Sequence, residues 1–594
     1  MTSHRLPLTP PHSSPVTHHL SPVLVLLALA CLLCFLGLGS LGLTDRDEGS
    51  NAEAAREMVE SGNWITPTLN GEPRFAKPAF VYWLMSLAYL VFGVSEWTAR
   101  LPSAIFGVAL ILLQYWFLAR VRGPLHGLLG AAMLLLNVEV VAISRLALTD
   151  SVLIFFTTLS LFSFWVGLHG STGLTTGGED RSRHYFWLFY AGMAVATLTK
   201  GPVGIAVPLL AIVPYLTLTR RWGLFRQRGV PLGGTLLFVA LAVPWYAAML
   251  GLHGARYSAS AQADTIGRFL STIGGHGGTV FFYVPVLLFG FFPWSGFLPV
   301  AIYQAIKGYR QAAIGYRKND PHASSGELEF FAALWVVGVF LFFSASATRL
   351  PHYIGPLFPA AAILTASYWK RCLEDPRTPG LQGSLFTILA LGNMLGLLLL
   401  LSPLLYDRFI GTIVREFPIA AQVDPGASPL VAGAVLIFGA MGIVYFGLSK
   451  DRRAGVFWVG GAMICLVMLI AIQFTLPRFS TYFVSPPQNL AYTAGLNLEP
   501  GDALILYGPP KPSLIFYAKR RVVMIRPGEE EKMRPHLTRS GRTMIVLPAR
   551  LRSDLPVEAA GFPVILQRYG YLLLANEPMV KAATPHGPLG SGAP

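Results

Sequence analysis

The feature that most constrains this chain is the recurrence of apolar runs about twenty residues long, the length that a helix needs to cross roughly 30 Å of hydrocarbon. Only 13% of the residues are charged and 53% are hydrophobic, whereas soluble domains carry about 25% charged residues. The sequence therefore predicts a polytopic α-helical membrane protein. We expect about thirteen spans, which begin near residues 22, 98, 124, 149, 185, 202, 230, 281, 328, 353, 382, 429 and 454.

Two apolar stretches need separate interpretation. The stretch at 80–94 is short and contains aromatic residues such as Tyr82 and Trp83, which is typical of a helix that lies along the membrane surface. The first span follows a polar N-terminus, as a signal peptide would. It is too long for one and lacks a convincing cleavage pattern before Thr44, so we interpret it as a retained helix.

The basic residues predict the orientation of the chain, because lysine and arginine mark the cytoplasmic loops of membrane proteins. Placing the N-terminus in the cytoplasm puts the clearest basic loops, at 220–228 and 450–453, on the cytoplasmic side. Most of the net charge of +15 then serves to orient helices, and a nucleic-acid-binding function loses its main support. An odd number of spans places the C-terminal segment outside the cytoplasm.

The chain divides into three predicted parts. Residues 1–475 form the transmembrane domain, whose outer loop 44–97 carries surface helices. Residues 476–577 form a small α/β domain outside the membrane, with strands expected at 501–507, 521–525 and 543–547 and a helix at 512–518. Residues 578–594, rich in proline, glycine and alanine, form a disordered tail.

The four cysteines argue against a fold held together by disulfides or by zinc. Cys31, Cys34, Cys372 and Cys465 have neither the number nor the spacing of a disulfide framework or a zinc site. Cys31 and Cys34 form a C-x-x-C pair, but they lie inside a continuous apolar helix, which argues against a redox function.

Ionisable residues are rare within the spans and gather in the loops assigned to the outer side. Some of these loops, such as 144–150 and 348–353, are very short, so their helices must pack together and bring the side chains to one site at membrane level. A transporter would instead place ionisable groups near the bilayer midplane. The outer set comprises Asp45, Asp47, Glu48, Arg56, Lys77, Arg145, Asp150, Lys200, Asp264, Arg268, Arg349, His352 and Tyr353.

These residue types suit one kind of chemistry. A carboxylate beside a hydroxyl can act as general base. Lysine, arginine and tyrosine can bind a phosphate and stabilise the charge that it gains on leaving. A site open to lipid and to the outside would accept a phosphate attached to a long hydrocarbon tail. The residues therefore indicate transfer from a lipid-linked phosphate donor, without identifying the transferred group.

Several motifs are more specific. The first outer loop contains D-E-G-S-N-A-E-A-A-R-E-M at 47–58, G-N-W-I-T-P-T-L-N-G at 62–71 and F-A-K-P at 75–78. Later motifs are R-L-A-L-T-D-S at 145–151, L-T-K-G-P at 198–202 and L-P-H-Y-I-G-P at 350–356. Over residues 25–370 the chain resembles the bacterial membrane glycosyltransferases grouped with the aminoarabinose transferase of lipid A and the protein mannosyltransferases. The resemblance implies the GT-C fold and a polyprenyl-phosphate sugar donor.

The resemblance also implies roles for single residues. Asp47 matches the proposed catalytic base of the family, and Asp150 matches its second acidic position. Lys77 matches the lysine that contacts the lipid phosphate. The other positions expected to bind substrate are Glu48, Tyr82, Arg268, Arg349, His352 and Tyr353.

Three places depart from the family pattern. Ser50 and Asn51 stand where relatives often have arginine and tyrosine. Ala76 replaces a glutamate that helps to bind a metal in the aminoarabinose transferase, so no cofactor is firmly implied and a divalent metal lacks one expected ligand. Arg349 replaces a common lysine, which keeps the charge but changes the geometry.

Each candidate residue also has a structural alternative. Acids near the start of a helix can interact with its N-terminal amides, which applies to Asp47, Glu48 and Asp150. Cations at the interface can bind lipid headgroups, which applies to Lys77 and Arg349.

Three further residues have no single assignment. His352 can be an acid-base group, a metal ligand or a hydrogen-bonded structural residue. Lys200 precedes a Gly-Pro break and is assigned neither a structural nor a site role. Glu139 is interpreted as an interhelical hydrogen-bonding group.

The resulting hypothesis is an inverting glycosyltransferase of the bacterial inner membrane. It would move a sugar from a polyprenyl-phosphate donor to an outer acceptor, either lipid A, another envelope glycolipid or glycan, or a protein. A lipid or glycolipid transporter is the alternative, and it predicts alternating access and polar residues deep within spans. An inactive binding or scaffold protein also stays open because of the altered positions 50, 51 and 76.

Overall fold

The computed structural model describes residues 16–170, 182–272, 277–314, 326–375, 377–416, 418–424, 426–538 and 541–577. Helices dominate these residues, and strands occur in the first outer loop and near the C-terminus. The main helices up to residue 400 are Val16–Phe35, Asp47–Ser61, Phe80–Phe92, Glu96–Arg122, Pro124–Leu135, Val138–Ser144, Asp150–His169, Ser182–Lys200, Val203–Leu218, Trp222–Arg228, Pro231–Gln262, Tyr283–Gly290, Leu298–Ile314, Glu327–Ala345, Phe358–Glu374 and Leu381–Leu400. They are followed by Ser402–Glu416, Ser428–Leu448, Ala454–Ile470, Ser485–Asn497 and Ser513–Ala518.

Fewer helices meet the length and composition of a membrane span than the sequence predicts. Within the described ranges, seven helices are long and apolar enough, or nine if each of two bent pairs forms one span. The prediction of thirteen spans is therefore not confirmed. One bent pair, Pro124–Leu135 with Val138–Ser144, turns by 68°, because the Asn137 side chain accepts a hydrogen bond from the Val140 amide and begins a new helix. The apolar segment near 281 is broken into the eight-residue helix Tyr283–Gly290, a 3-10 turn at Trp294–Gly296 and the start of helix Leu298–Ile314.

The membrane part and the C-terminal part are joined by one helical run. It covers residues 454–497 without interruption and includes two π-helical turns, Ala471–Thr475 and Ser480–Val484. The domain boundary predicted at 475 falls inside this run, because the apolar pattern ends before the helix does. Leu490, Ala491 and Ala494 at its end pack into the core of the C-terminal sheet.

The C-terminal sheet has five strands, Ala503–Tyr507, Val523–Ile525, Thr543–Pro548, Val564–Arg568 and Tyr571–Ala575. Counted along the chain, they lie in the order second, first, third, fifth, fourth. The first three are parallel and the last two are added antiparallel. Three strands were expected from the sequence, whereas the final hairpin was not. The tail predicted at 578–594 lies outside the described residues.

The first outer loop forms a small layer of its own. Helix Asp47–Ser61 packs against helix Phe80–Phe92, which lies where a helix was expected at 80–94, through Ala55, Met58 and Met85. A two-stranded ladder, Thr68–Leu69 with Glu72–Pro73, joins them. This layer covers one end of the helix bundle, beside the start of helix Glu96–Arg122.

A buried ion pair fastens this layer to the bundle. The Arg100 Nε donates to Glu48 Oε1 at 2.7 Å and its Nη2 donates to Oε2 at 2.9 Å. The remaining guanidinium protons bind the carbonyls of Leu38, Leu41 and Gly42. Both charged side chains are at most 1% exposed, so each depends on the other for its solvation.

We expect Arg100→Met to lower the thermal unfolding temperature of the purified protein strongly, because it leaves the Glu48 carboxylate buried without a counter-charge. Removing one partner of such a pair costs about 3–5 kcal/mol. Arg534→Gln is the control, since Arg534 pairs with Glu531 on an exposed surface and should contribute less than about 1 kcal/mol. Equal unfolding temperatures for the two variants would contradict this role of Arg100.

Candidate functional site

The acidic and basic residues of the outer set come from separate elements and meet at one end of the bundle. Asp47 begins helix Asp47–Ser61, Asp150 begins helix Asp150–His169, and Lys200 ends helix Ser182–Lys200. Lys77 lies in the loop just before helix Phe80–Phe92. The structure therefore brings together at one site residues that are spread along the sequence from Asp47 to Lys200.

Asp150 is the most closely paired member of this cluster. Lys200 Nζ donates to Asp150 Oδ1 at 2.6 Å, and the same ammonium lies 4.5 Å from the centre of the Tyr353 ring. His352 Nε2 lies 3.9 Å from the other carboxylate oxygen. Burial and the charge of Lys200 lower the pKa of His352, although Asp150 opposes them, so the imidazole is neutral near pH 7.

Asp47 faces several cations. Burial by itself raises the pKa of Asp47, but nearby positive charge, chiefly that of Lys77 and Arg74, outweighs it and holds that pKa below its ordinary value. The carboxylate is therefore ionised at neutral pH. An ionised carboxylate that is partly open to solvent can accept a proton from a substrate hydroxyl.

Lys77 lies close enough to Asp47 for their opposite charges to interact. Burial lowers the pKa of Lys77, and Lys200 lowers it further, so that it falls to about 8 in spite of the opposing charge of Asp47. Lys77 is thus mostly protonated at neutral pH, but at a cost in desolvation. An anion placed between Lys77 and Lys200 would remove this cost, which is why the cluster suits a phosphate group.

Arg268 and Tyr353 also lie close to the lysines of the cluster, Arg268 to Lys77 and Tyr353 to Lys200. Arg268 Nε donates to Asp264 Oδ1 at 2.9 Å, and the Arg268 guanidinium lies close enough to Tyr353 to interact with it electrostatically. Its backbone carbonyl accepts the Thr348 amide at 3.1 Å. The segment that carries His352 and Tyr353 is therefore tied to the end of the long helix that carries Arg268.

Arg74 is a site residue that the sequence analysis missed. Its Nε donates to the Tyr82 hydroxyl at 3.1 Å and its Nη2 to Asn51 Oδ1 at 3.4 Å, and its charge acts directly on Asp47. The only signal in the sequence was its place next to the F-A-K-P motif. Tyr82, which was expected to bind substrate, is fully buried. Its hydroxyl accepts the hydrogen bond from Arg74 and so helps to hold that side chain in place.

Glu48 and Arg349, which were expected to bind substrate, make other contacts in the structure. The Glu48 carboxylate is enclosed by Arg100 and accepts the amides of Thr44 and Ala147 at 2.8 Å each, which leaves it no open face for a ligand. Arg349 donates to the backbone carbonyls of Ser344, at 3.0 Å, and Gly278. Both side chains thus hold backbone segments in place.

The donor set of the cluster does not fit a divalent cation. Asp150 is already paired with Lys200, Asp47 is surrounded by positive charge, and Ala76 supplies no ligand atom. Among the described residues, no three His, Cys, Asp or Glu side chains are arranged to hold a metal ion.

Comparison with known sequences links the chain to one family. Residues 46–252 match the family of dolichyl-phosphate-mannose-protein mannosyltransferases. An undecaprenyl phosphate-alpha-4-amino-4-deoxy-L-arabinose arabinosyl transferase from Edwardsiella ictaluri is 29% identical over 359 residues, which is 60% of this chain and 61% of that protein. The chain thus aligns with about three fifths of that relative's length. A second enzyme of the same name, from Pseudomonas fluorescens, is 30% identical over 397 residues, which is 66% of this chain and 68% of the relative.

Comparison with solved structures agrees on the fold. The crystal structure of ArnT from Cupriavidus metallidurans bound to undecaprenyl phosphate superposes with a TM-score of 0.72 at 24% sequence identity, covering 93% of this chain and 98% of that one. The apo form of the same protein gives a TM-score of 0.74. By fold, and by its identity to the Pseudomonas fluorescens relative, the chain belongs to the GT-C family of the aminoarabinose transferases and protein mannosyltransferases.

Proposed function

We propose that this protein is a membrane glycosyltransferase that moves a sugar from undecaprenyl phosphate to an acceptor hydroxyl on the outer side of the bacterial inner membrane. The observation that carries the proposal is the ionised carboxylate of Asp47 opposite the cations Lys77 and Arg74. Asp47 can accept a proton and the two cations can bind an anion. All three lie at one end of an apolar helix bundle.

The reaction is a single displacement. Asp47 accepts the proton of the acceptor hydroxyl as its oxygen attacks the anomeric carbon of the sugar. The bond between that carbon and the phosphate oxygen breaks on the opposite side, and the electron pair leaves with the lipid phosphate. Lys77, Arg268 and the Tyr353 hydroxyl stabilise the charge on this leaving group. Attack from the opposite side inverts the configuration at the anomeric carbon.

Asp150 and Lys200 prepare the site for the phosphate. Their ion pair fixes Lys200 against the Tyr353 ring, close enough for its charge to act on both Lys77 and Asp47. Because these cations are already in place, the leaving phosphate meets positive charge without rearrangement. In this mechanism the positive charge that stabilises the leaving phosphate comes from the chain's own cations.

The names of the relatives suggest which substrates to test. The arabinosyl transferases from Edwardsiella ictaluri and Pseudomonas fluorescens are named for undecaprenyl phosphate-alpha-4-amino-4-deoxy-L-arabinose, and the ArnT structure is described with undecaprenyl phosphate bound. We propose the same donor here. Lipid A is the first acceptor to test, and other envelope glycans and proteins follow.

We also propose the topology predicted from the sequence, with thirteen spans, a cytoplasmic N-terminus and the C-terminal sheet outside. Two observations support it. The Asp47 cluster and the sheet lie at the same end of the bundle, and the basic residues Arg220, Arg221 and Arg228 lie at the opposite end of the helices that connect them. Such a charge distribution is typical of a cytoplasmic face.

Replacing Asp47 by Asn should abolish sugar transfer with little change in donor affinity, because the amide keeps the shape but cannot accept the proton. A general base contributes about 10²–10⁴-fold to the rate. The measurement is transfer by protein in nanodiscs, using the undecaprenyl-phosphate aminoarabinose donor and lipid A, with mass spectrometry of the acceptor. Glu60→Gln, on the exposed face of the same helix, is the matched control and should stay active.

Full activity of the Asp47→Asn protein would overturn the assignment of the base. Movement of the intact donor across vesicles without a covalent product would instead favour a transporter.

Binding of undecaprenyl phosphate should weaken as the pH rises through about 8, because Lys77 loses its proton there. Above about pH 7 the phosphate is almost fully ionised, so its own charge does not change over this range. Lys77→Arg should remove the fall, since the guanidinium stays protonated. Calorimetric titrations between pH 7 and 9 test this, and identical pH profiles for the two proteins would contradict it.

A further inference from the structure

The backbone around Asp47 is held from both sides. On the C-terminal side, Glu48 is fastened by Arg100. On the N-terminal side, the Asp45 carboxylate accepts the amide of Ser513 at 3.1 Å and its hydroxyl at 2.5 Å, and it pairs with Lys511 at 3.1 Å. Ser513 and Lys511 belong to the loop and helix that follow the first strand of the C-terminal domain.

The turn between these two attachments has an unfavourable conformation. Arg46 has a φ of 71°, in the left-handed region where a residue with a side chain is disfavoured. Two backbone hydrogen bonds close the turn, from the Gly49 amide to the Thr44 carbonyl and from the Ser50 amide to the Arg46 carbonyl, and the Thr44 amide and hydroxyl donate to Glu48 Oε2 across it. A turn of this kind persists only where its surroundings hold it.

The C-terminal domain also packs tightly against the helix that Asp47 begins. A Cβ at Gly49 would lie 2.7 Å from the Cα of Ser513, so no side chain fits there without moving the backbone. Phe516 joins the same apolar cluster as Ala52 and Tyr89. The Leu43 amide donates to the Tyr517 hydroxyl at 3.0 Å, one residue before Thr44.

We propose that the C-terminal domain positions the catalytic base, with Asp45 and Ser513 as the positioning residues. Their contact holds the strained turn at Arg46 and thereby directs the Asp47 carboxylate toward the acceptor side of the cluster. Neither residue touches substrate, and both act through Asp47. The proposal rests on the proposed function only for the step that Asp47 performs, since the contact itself is a property of the folded chain.

The test compares two contacts that attach the C-terminal domain, one next to Asp47 and one at Asn70. Asp45→Ala and Ser513→Ala remove hydrogen bonds next to Asp47. Asn70→Gly removes the two hydrogen bonds, of 2.9 and 3.0 Å, that the Asn70 side chain makes with the backbone of Val522. Because Asn70 has a φ of 59°, glycine fits there without strain. This variant is therefore a matched control that weakens the attachment of the C-terminal domain but leaves the contact next to Asp47 intact.

With full-length protein in nanodiscs, we expect Asp45→Ala and Ser513→Ala to lower kcat by about ten- to a hundredfold. The donor KM and the affinity for undecaprenyl phosphate should stay as in the wild type. Asp45→Asn keeps an acceptor oxygen for Ser513 and should recover most of kcat, and Asn70→Gly should keep it. An unchanged kcat in Asp45→Ala, or an equal loss of kcat in Asn70→Gly, would overturn the proposal.

Hydrogen–deuterium exchange of the same proteins gives a readout that does not need turnover. Asp45→Ala should speed exchange of the Gly49 and Ser50 amides, and Asn70→Gly should not. If the wild-type protein transferred no sugar, the proposed function would fail while this measurement still decided whether the contact holds the turn. Unchanged exchange in Asp45→Ala would show that it does not.

Discussion

The structure depends on charge compensation at one end of an apolar bundle. A carboxylate in such surroundings is stable only when cations or amides replace the water that it has lost. Glu48 obtains this from Arg100, and Asp150 obtains it from Lys200, at 2.7 and 2.6 Å respectively. Each pair also joins elements that are distant in sequence. The same interactions that make the charges tolerable therefore assemble the site.

Asp47 and Glu48 are adjacent in sequence but differ in environment, and this difference separates their roles. Glu48 has both oxygens occupied by Arg100 and backbone amides, so it is a structural group. Asp47 feels several cations at longer range, which keep it ionised and leave it able to accept a proton. Of two adjacent carboxylates, one is thus fixed by its partners and the other stays available as a candidate base.

Much of this arrangement follows from the sequence. Apolar length predicted the helices, and the short loops predicted that the ionisable side chains would meet at one site. The resemblance then assigned roles to Asp47, Lys77 and Asp150. The pairing of Glu48 with a particular arginine could not be predicted, since it depends on how helix Glu96–Arg122 packs against the loop. Arg74 was missed for the same reason. The final hairpin of the C-terminal sheet turns at Tyr569 and Gly570, both with positive φ. It could not be predicted, because such turns usually have Asn-Gly or Asp-Gly at these two positions.

The most direct test of this account is a cryo-electron microscopy structure of the protein with undecaprenyl phosphate bound. The account predicts a phosphate contacted by Lys77, Arg268 and Tyr353, with the Asp47 carboxylate facing it across a gap wide enough for a sugar. A phosphate bound elsewhere, or one approached by Glu48 in place of Asp47, would contradict the division of roles on which the mechanism rests.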